Sequence, residues 1–263
     1  MIIMIRSLWT AASGMVAQQL NIDTIAHNLA NVNTVSFKKS RAEFEDLMYQ
    51  TLKIAGHQNQ AGQTIPTGIQ IGLGVRPATV HKFFKEGNLQ NTGNPLDLAI
   101  EGDGFFQVDV NGQLAYTRAG NFKIDQNGQI VTARGYPLQP TFTVPTETQN
   151  IVVTNDGHIS ALDKEGNELA GADIPIYTFI NPAGLNAIGG NLYLETPASG
   201  AAQQVTPGTD NAGRIVQGFL EMSNVELVEE MVNMIMAQRA FESNSKTVTA
   251  SDQILRTANS IIR

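Results

Sequence analysis

Few residues of this chain combine the side-chain types and the spacing that binding or catalytic chemistry requires. Asp125, Asn127 and Gly128 form D-x-N-G, which is similar to the opening of a calcium-binding loop. In that loop the glycine stands at position six and a glutamate at position twelve, whereas this glycine is fourth, so the motif predicts a hairpin turn. Residues 101–104 read E-G-D-G but lack the lysine and the following helix of a phosphate-binding loop, which favours a turn before a strand.

The remaining ionisable residues do not suggest a metal or catalytic site. The histidines stand in unlike contexts, and no two are at ligand spacing on one element: His27, His57, His81 and His158. Cysteine is absent, which excludes disulfides, thiolate chemistry and Cys-ligated metals. The grouped carboxylates are predicted to lie on solvated helical surfaces: Glu43, Glu45 and Asp46, and Glu229 and Glu230. We therefore expect no enzyme, no catalytic residue, no cofactor and no metal.

The composition narrows the classes of partner. The chain has 263 residues, a formal net charge of -7 and 16 % charged residues, against a typical ~25 %. It has no basic stripe, so nucleic acid is not an expected partner. No run reaches the ~18 apolar residues of a membrane span, and residues 1–16 do not form a convincing secretory signal. We expect no direct membrane insertion and, if the protein is exported, a route without a cleaved signal; either Met1 or Met4 is the start.

The C-terminal residues predict a long helix that needs a partner. Ser223 and Glu226 form a capping box, and no proline or glycine follows up to Arg263, which predicts a helix of 41 residues and about 60 Å. Apolar residues recur along it every seven positions, flanked by further apolar residues: Leu227, Met234, Phe241, Val248, Leu255 and Ile262, with Val228, Met231, Ile235 and Ala258. Such a narrow apolar seam has to be buried against another helix.

The N-terminal residues carry a matching seam. Apolar side chains again recur every seven positions, with a second set between them: Leu8, Met15, Ile22 and Leu29, then Ala11, Ile25 and Val32. Such stripes occur in simple helical bundles as well as in polymers. Polar residues at the second C-terminal seam position favour an oligomer or polymer, because they set register and partner number: Gln238, Ser245, Asp252 and Asn259.

The residues between the helices predict an arm followed by a β domain. A short helix or ordered arm is expected around Phe37, Phe44 and Leu47, and an extended arm or hairpin over 51–74, of which 56–64 could instead be a flexible loop. From 75 to 218, alternating runs are separated by hairpin dipeptides at Asn111-Gly112, Asn127-Gly128 and Asp156-Gly157, with no helical pattern between them.

The predicted fold class is α+β. Two heptad-patterned terminal helices form a coiled-coil-like pair, and a mainly antiparallel β domain is inserted between them. The predicted domains are a helical domain over 1–35 and 219–263, a connecting arm over 36–74 and a β-rich domain over 75–218.

Several long strings resemble one family. HNLANVNTVSFKKSRAEFEDLMYQ is similar to the asparagine-rich signature of bacterial flagellar rod and hook proteins, which usually reads A-N-x-N-T-x-G-F-K. IEGDGFFQV, YTRAGNFKIDQNGQIVTARGYPLQP and the segment from Ser223 to Asn259 resemble its central strands and closing helix. Chain length and the segment QTLKIAGHQNQAGQTIPTGIQIGLGV make the chain most similar to distal rod proteins. Ser36 departs from the signature, because the family usually has glycine there, so a turn with positive φ is either relaxed or strained.

The resemblance implies a structural subunit of the distal flagellar rod, a rigid hollow helical tube that transmits torque from motor to hook and forms part of the export channel. Its implied partners are copies of itself, proximal rod proteins and hook protein along the axis, the periplasmic and outer-membrane rings around it, and the flagellar type III export apparatus. The implied location is the periplasmic part of the basal body.

The residues expected to carry self-assembly lie in both seams and at the end of the first helix. They are Leu8, Met15, Ile22, Ile25, Asn28, Leu29, Asn31, Asn33, Phe37, Leu227, Met231, Met234, Ile235, Phe241, Val248, Leu255 and Ile262. The alternatives are a hook or proximal rod protein and, in a different class, a β-domain binding or scaffold module that oligomerises through its terminal helices.

Overall fold

The computed structural model describes residues 2–54, 56, 67–209 and 212–261. In chain order the elements are α1 (Ile2–Ala30), β1 (Ser40–Asp46), β2 (Tyr49–Lys53), β3 (Ile69–Gly72), β4 (Val75–Lys82), β5 (Leu89–Asn91), β6 (Leu98–Glu101), β7 (Phe106–Val110), β8 (Gln113–Thr117), β9 (Lys123–Ile124), β10 (Ile130–Val131), β11 (Leu138–Gln139), β12 (Asn150–Val153), β13 (His158–Leu162), β14 (Glu168–Asp173), β15 (Ile176–Thr178), a 3-10 turn (Pro182–Gly184), β16 (Asn186–Gly189), β17 (Leu192–Leu194), β18 (Gln203–Val205), β19 (Arg214–Gln217), β20 (Phe219–Glu221) and α2 (Leu227–Ile261). Three sequence predictions concern residues outside this part of the chain. They are the flexible loop considered for 56–64, most of which is not described, the seam residue Ile262, and Met1 as a possible start.

The fold class is α+β, with one helix at each end of the chain and small antiparallel sheets between them. The largest sheet has the strand order β11-β7-β8-β17-β16, and a second has the order β12-β13-β14. The hairpin dipeptides behave as predicted, since Gly112, Gly128 and Gly157 all have φ near +80 to +90°. A glycine without Cβ adopts this left-handed conformation at little cost, which is why the strands reverse there.

The chain divides into two units. The helical unit contains residues 1–30, 40–81 and 226–263, and the β unit contains residues 31–39 and 82–225. The residues after α1 therefore belong to the β unit for nine positions before the chain returns to the helical unit. The three-part division drawn from the sequence stays a prediction.

The second helix is shorter than predicted. It begins at Leu227, not at Ser223, and ends at Ile261 among the described residues. The Ser223 hydroxyl accepts a hydrogen bond from the backbone N–H of Val225, two residues on. A serine that bonds its own neighbouring backbone in this way stabilises a turn outside the helix, so the proposed capping box does not mark the helix start.

In the helical unit, α1 and α2 pack against each other and run antiparallel. Three contacts, spaced seven and then fourteen residues apart, join small or polar residues: Ser7 Oγ to Ser251 Oγ at 3.4 Å, Gly14 beside the Asn244 amide, and Asn28 Nδ2 to Glu230 Oε2 at 3.1 Å. Because one number rises as the other falls, the three contacts define a single antiparallel register.

The polar positions of the α2 contact are one residue away from those predicted. Gln238 and Asp252 are exposed, whereas Ala237 and Ser251 are buried. Asn244 and Ser245 are both partly buried, but Asn244 is the one that lies beside Gly14 of α1. Helices approach more closely where the side chains between them are small. The helix is therefore turned so that these smaller residues, and not the predicted polar set, lie against α1. The side chain of Asn259 lies outside the described part of the chain.

The segment from Ser40 to Asp46 is a strand rather than the short helix considered from the sequence. This strand, β1, pairs with β4, while β2 and β3 form the predicted hairpin with Tyr49 opposite Gly72. Strand pairing supplies partners for backbone groups that a short isolated helix would leave at its ends.

The β unit contains the main apolar core. Its fully buried side chains come from alternate positions of several strands and include Ile100, Phe106, Val108, Ile159, Ile176 and Ile215. In β13 the burial alternates strictly along the strand, with Ile159 and Ala161 inside. A second, aromatic cluster contains Phe105, Tyr116, Phe179, Leu185 and Tyr193.

Replacing Gly14 by leucine should separate the two helices. A Cβ at Gly14 would lie only 2.8 Å from Asn244 Nδ2, so a larger side chain overpacks the contact and should destabilise the helical unit by about 1–3 kcal/mol. The measurement is urea unfolding followed by far-UV circular dichroism of the helices. Gln19→Leu, at an exposed position of the same helix, is the matched control, and equal stability of the two variants would contradict the close helix contact.

Candidate functional site

Asn28 joins three elements of the helical unit. Its amide nitrogen donates to the backbone carbonyl of Ser40 at 2.7 Å and to Glu230 Oε2 at 3.1 Å, and its side-chain oxygen accepts from the Ser40 N–H at 2.9 Å. All three residues are buried, so these bonds are shielded from water. Asn28 therefore fixes the end of α1 against the first turn of α2 and the start of β1.

The residues that follow α1 form a turn in the β unit. Thr34 donates from its backbone to the Asn31 carbonyl and from its hydroxyl to the Asn31 side chain, both at 3.1 Å. Asn33 is exposed, and Phe37 is buried with the Lys82 ammonium 5.4 Å from its ring centroid. The predicted role of Asn31 as a helix-ending turn residue is thus explained by its hydrogen bonds to Thr34.

Ser36 adopts a left-handed backbone conformation. Its φ is +55°, and the residue is completely buried. Its N–H donates to the Glu221 carbonyl and its hydroxyl donates to the Arg118 carbonyl, both at 2.8 Å. The left-handed conformation costs a non-glycine residue roughly 1–2 kcal/mol, and the hydroxyl bond offsets part of that cost.

A buried ion cluster lies beside Ser36. Glu221 accepts from Lys38 Nζ at 2.5 Å and from Arg118 Nε at 2.8 Å, and the side chains of Lys38 and Glu221 are 0 % exposed. The backbone N–H of Gly87 adds a bond to the same carboxylate at 2.9 Å. We call Lys38, Arg118 and Glu221 the ion cluster.

Arg118 extends the ion cluster into the backbone. Its terminal nitrogens donate to the carbonyls of Ile100, Gly102 and Gly104 at 2.9–3.1 Å. The planar guanidinium thus holds a glycine-rich turn and the carboxylate together. The E-G-D-G motif serves as part of a structural anchor, with positive φ at both glycines.

Burial and charge act in opposite directions on the ion cluster. Burial alone would raise the pKa of Glu221, but Arg118 and Lys38 outweigh it and hold that pKa below its ordinary value. Burial, together with repulsion from Arg118, lowers the pKa of Lys38 to about 8, although Glu221 favours its charged form. At neutral pH one carboxylate therefore faces two cations.

The seam residues fall into distinct environments in the helical unit. Ile25 is buried, while eight others are partly buried: Leu8, Met15, Ile22, Leu29, Met234, Phe241, Val248 and Leu255. Leu227, Met231 and Ile235 are 46–50 % exposed. The inner surface of the pair therefore combines apolar side chains, such as Ala11, Ile25 and Ala237, with polar ones, while most apolar seam positions are only partly buried.

A continuous apolar surface remains exposed on the first half of α2. It consists of side chains that are 46–72 % exposed, namely Leu227, Val228, Met231, Val232, Ile235 and Met236, and we call it the α2 apolar face. On a helix these positions follow one another on one side. A contiguous apolar patch of this kind marks an interaction surface.

Neither the ion cluster nor the burial of Glu230 was predicted from the sequence. Glu230 is buried, although it was predicted to lie on a solvated face. Glu221 stands alone in the apolar run G-F-L-E-M, and this isolated carboxylate was the available signal. Its partners come from positions 183 and 103 residues away, so only the fold identifies them.

The other residues considered for metal binding or catalysis make structural contacts. Asp125 accepts from the backbone of Asn127 and Gln129, as a hairpin turn requires. His158 contacts Asp173 at 2.6 Å and Glu168 at 3.3 Å. Both hydrogen bonds raise the pKa of His158 above its ordinary value, and the bond to Asp173 contributes most. Among the described residues, no group of three acidic, histidine or cysteine side chains is arranged to hold a metal ion. No helix within that part of the chain is long and apolar enough to span a membrane.

Comparison with known proteins agrees with this architecture. Three family models match: flagella basal body rod protein at residues 8–38, flagellar hook protein FlgE/F/G D1 domain at residues 99–161, and flagellar basal body rod FlgEFG protein C-terminal at residues 216–261. The first spans most of α1 and the ion-cluster lysine, and the last spans α2.

The similar curated proteins extend over nearly the whole chain. The flagellar basal-body rod protein FlgG of Borreliella burgdorferi is 49 % identical over 99 % of this chain and 100 % of the relative. The proteins of the same name from Bacillus subtilis and Caulobacter vibrioides are 46 % and 45 % identical over 96 % and 97 % of this chain, and over 97 % and 99 % of their own lengths. The chain therefore belongs to the flagellar basal-body rod protein family, and it is a structural protein rather than an enzyme.

Glu221→Gln should destabilise the β unit more than Lys38→Met. The first variant leaves two buried cations without a carboxylate and should cost about 3–5 kcal/mol, whereas the second leaves the Arg118–Glu221 pair intact and should cost about 1–2 kcal/mol. Urea unfolding followed by near-UV circular dichroism of the buried tyrosines measures both. Glu101→Gln, which breaks an exposed pair with Arg214, is the control and should leave the transition unchanged. The reverse order of the two variants would refute this account of the ion cluster.

Ser36→Ala should be less stable than Ser36→Gly. Alanine retains the strained φ and loses the hydroxyl bond, at a cost of about 1–2 kcal/mol, whereas glycine loses the bond but relieves the strain and should be nearly neutral. The same tyrosine signal measures both variants, with Ser160→Ala as a control in β13. If alanine and glycine were equally stable, backbone strain at Ser36 would not be the reason.

Proposed function

We propose that the chain is a subunit of the distal flagellar rod that polymerises through its helical unit. The observation that carries the proposal is the α2 apolar face, which remains exposed although α2 already packs against α1. Burying a large apolar side chain contributes about 1.5–3 kcal/mol, so covering several of them supplies the driving force for association. Similarity to rod proteins over almost the full length supports copies of this chain as the occupant.

This proposal assigns different roles to two sets of residues on the helices. The hydrogen bonds of Ser7 and Asn28 and the close contact at Gly14 set the register of α1 and α2 within one subunit. The partly buried seam residues, with the α2 apolar face, bind neighbouring subunits as in a coiled coil. In a helical assembly these interfaces are heterologous and do not close, so they generate a tube rather than a dimer.

The hairpin of β2 and β3 supplies a second assembly contact. Every residue of β2 is exposed, and Met48, Leu52 and Ile54 present apolar side chains to solvent. A two-stranded ribbon is only marginally stable alone in water. We infer that this arm braces adjacent subunits and stiffens the rod for torque transmission.

The wider assembly is inferred from family membership. Proximal rod proteins and hook protein are the axial neighbours, and the periplasmic and outer-membrane rings surround the rod. The flagellar type III apparatus delivers the subunits to the growing rod. A hollow tube made of such subunits forms part of the export channel.

Ile235→Glu should prevent polymerisation while leaving the subunit folded. The side chain is 50 % exposed, so the charge is tolerated in the free subunit, but burying it against a neighbour should raise the critical concentration at least tenfold. Seeded assembly followed by sedimentation is the measurement. Gln238→Glu adds the same charge at an exposed position of α2 and should assemble as the unmodified protein does. Unchanged assembly of Ile235→Glu would exclude the α2 apolar face as an interface, and a fixed small mass at every concentration would indicate a closed oligomer instead.

A further inference from the structure

The β unit contains a polar pocket outside the ion cluster. It has a volume of about 250 Å³. Its lining comes from four short stretches of the chain: Thr34 and Val35; Thr117, Ala119 and Asn121; residues 132–134 and Tyr136; and residues 190–192. Asn191 donates to the Val35 carbonyl at 2.6 Å, which fixes the segment after α1 at the pocket wall. We call this cavity the arginine pocket, because Arg134 is the charged residue in its lining.

Arg134 is held in place without forming an ion pair. A Cβ at Gly190 would lie 2.6 Å from Arg134 Cζ and 2.8 Å from its Nη1, so the guanidinium rests on the glycine backbone. Gly190 also has a φ of +65°, which disfavours any side chain there. Within the described residues the guanidinium makes neither a hydrogen bond nor a salt bridge, so its donors remain available to a ligand.

The lining defines the class of ligand. Asn121, Thr132 and Tyr136 provide neutral polar groups, and the pocket contains no carboxylate to oppose Arg134. A guanidinium binds a carboxylate through two parallel hydrogen bonds. The volume is below the ~300–1,000 Å³ typical of pockets for whole small molecules, and therefore suits a single side chain better.

We propose that the arginine pocket binds an Asp or Glu side chain from a second copy of this chain. The chain has 24 acidic and 17 basic residues, and its β unit exposes Glu147, Asp156 and Glu165. Each copy therefore offers both an available guanidinium and exposed carboxylates. This inference rests on the proposed polymerisation and adds to it a polar contact between β units, distinct from the α2 apolar face.

The test is seeded assembly of purified Arg134→Gln at about 0.15 M salt. Glutamine removes the charge but retains a polar side chain, and Arg134 is exposed, so the variant should fold, as near-UV circular dichroism of the tyrosines will show. Loss of a charge-assisted contact should raise the critical concentration about tenfold. Lys164→Gln is the matched control, because it makes the same change in net charge at an exposed site outside the pocket. Arg134→Lys, which keeps the charge but not the planar fork, should recover only part of the loss.

Each outcome decides a different point. Assembly of Arg134→Gln at the unmodified critical concentration, or an equal shift in Lys164→Gln, would overturn the arginine pocket while leaving polymerisation intact. Failure of the unmodified protein to assemble would overturn the proposed function and this inference with it. A photo-crosslinker at Ala133, which lines the pocket, should join an acidic segment of another copy in the polymer, and crosslinks confined to its own chain would contradict the proposal.

Discussion

The β unit depends on one buried carboxylate. Glu221 ends β20, and its two oxygens accept from Lys38, Arg118 and the backbone of Gly87. Desolvating a carboxylate is costly unless charges and hydrogen-bond donors surround it, so all of these partners have to be in place together. The cluster thereby links the residues after α1, the turn after β8 and the last strand into one arrangement. Ser36 is adjacent to the cluster, and its tolerated positive φ follows from the bonds it makes to the carbonyls of Arg118 and Glu221.

The helical unit is stabilised in a different way from the β unit. Its interior contact includes small and polar residues beside apolar ones such as Ile25, and many of its other apolar side chains are about half exposed or more. A helix hairpin built only for its own stability would bury its apolar stripe. An apolar surface that stays exposed on α2 is instead suited to a subunit that buries it against its neighbours. Asn28 has a central position in this unit, because it satisfies both backbone groups of Ser40 while contacting Glu230 on α2.

The β2–β3 hairpin and the arginine pocket are two further surfaces for which we propose contacts with neighbouring subunits. The β2–β3 hairpin exposes apolar side chains, whereas the pocket presents an available guanidinium among neutral polar groups. Apolar contacts supply most of the free energy of association, and charged contacts set specificity and register. An interface that combines both is stabilised by apolar burial and made specific by its charged contacts.

The sequence by itself determined the class of the two terminal helices and of most of the β region. Heptad spacing indicated two terminal helices, Asn-Gly and Asp-Gly dipeptides located the hairpins, and alternation predicted an antiparallel β region, because these signals depend on neighbours within a few residues. It misplaced the start of α2 by four residues, read β1 as a short helix or arm and placed Glu230 in solvent, since local propensity does not specify which face is buried. Only the tertiary structure decided that Ala237, Asn244 and Ser251 face α1, and that Lys38, Arg118 and Glu221 meet. Those contacts join residues more than 100 positions apart in the chain, and their energy depends on burial that no local pattern encodes.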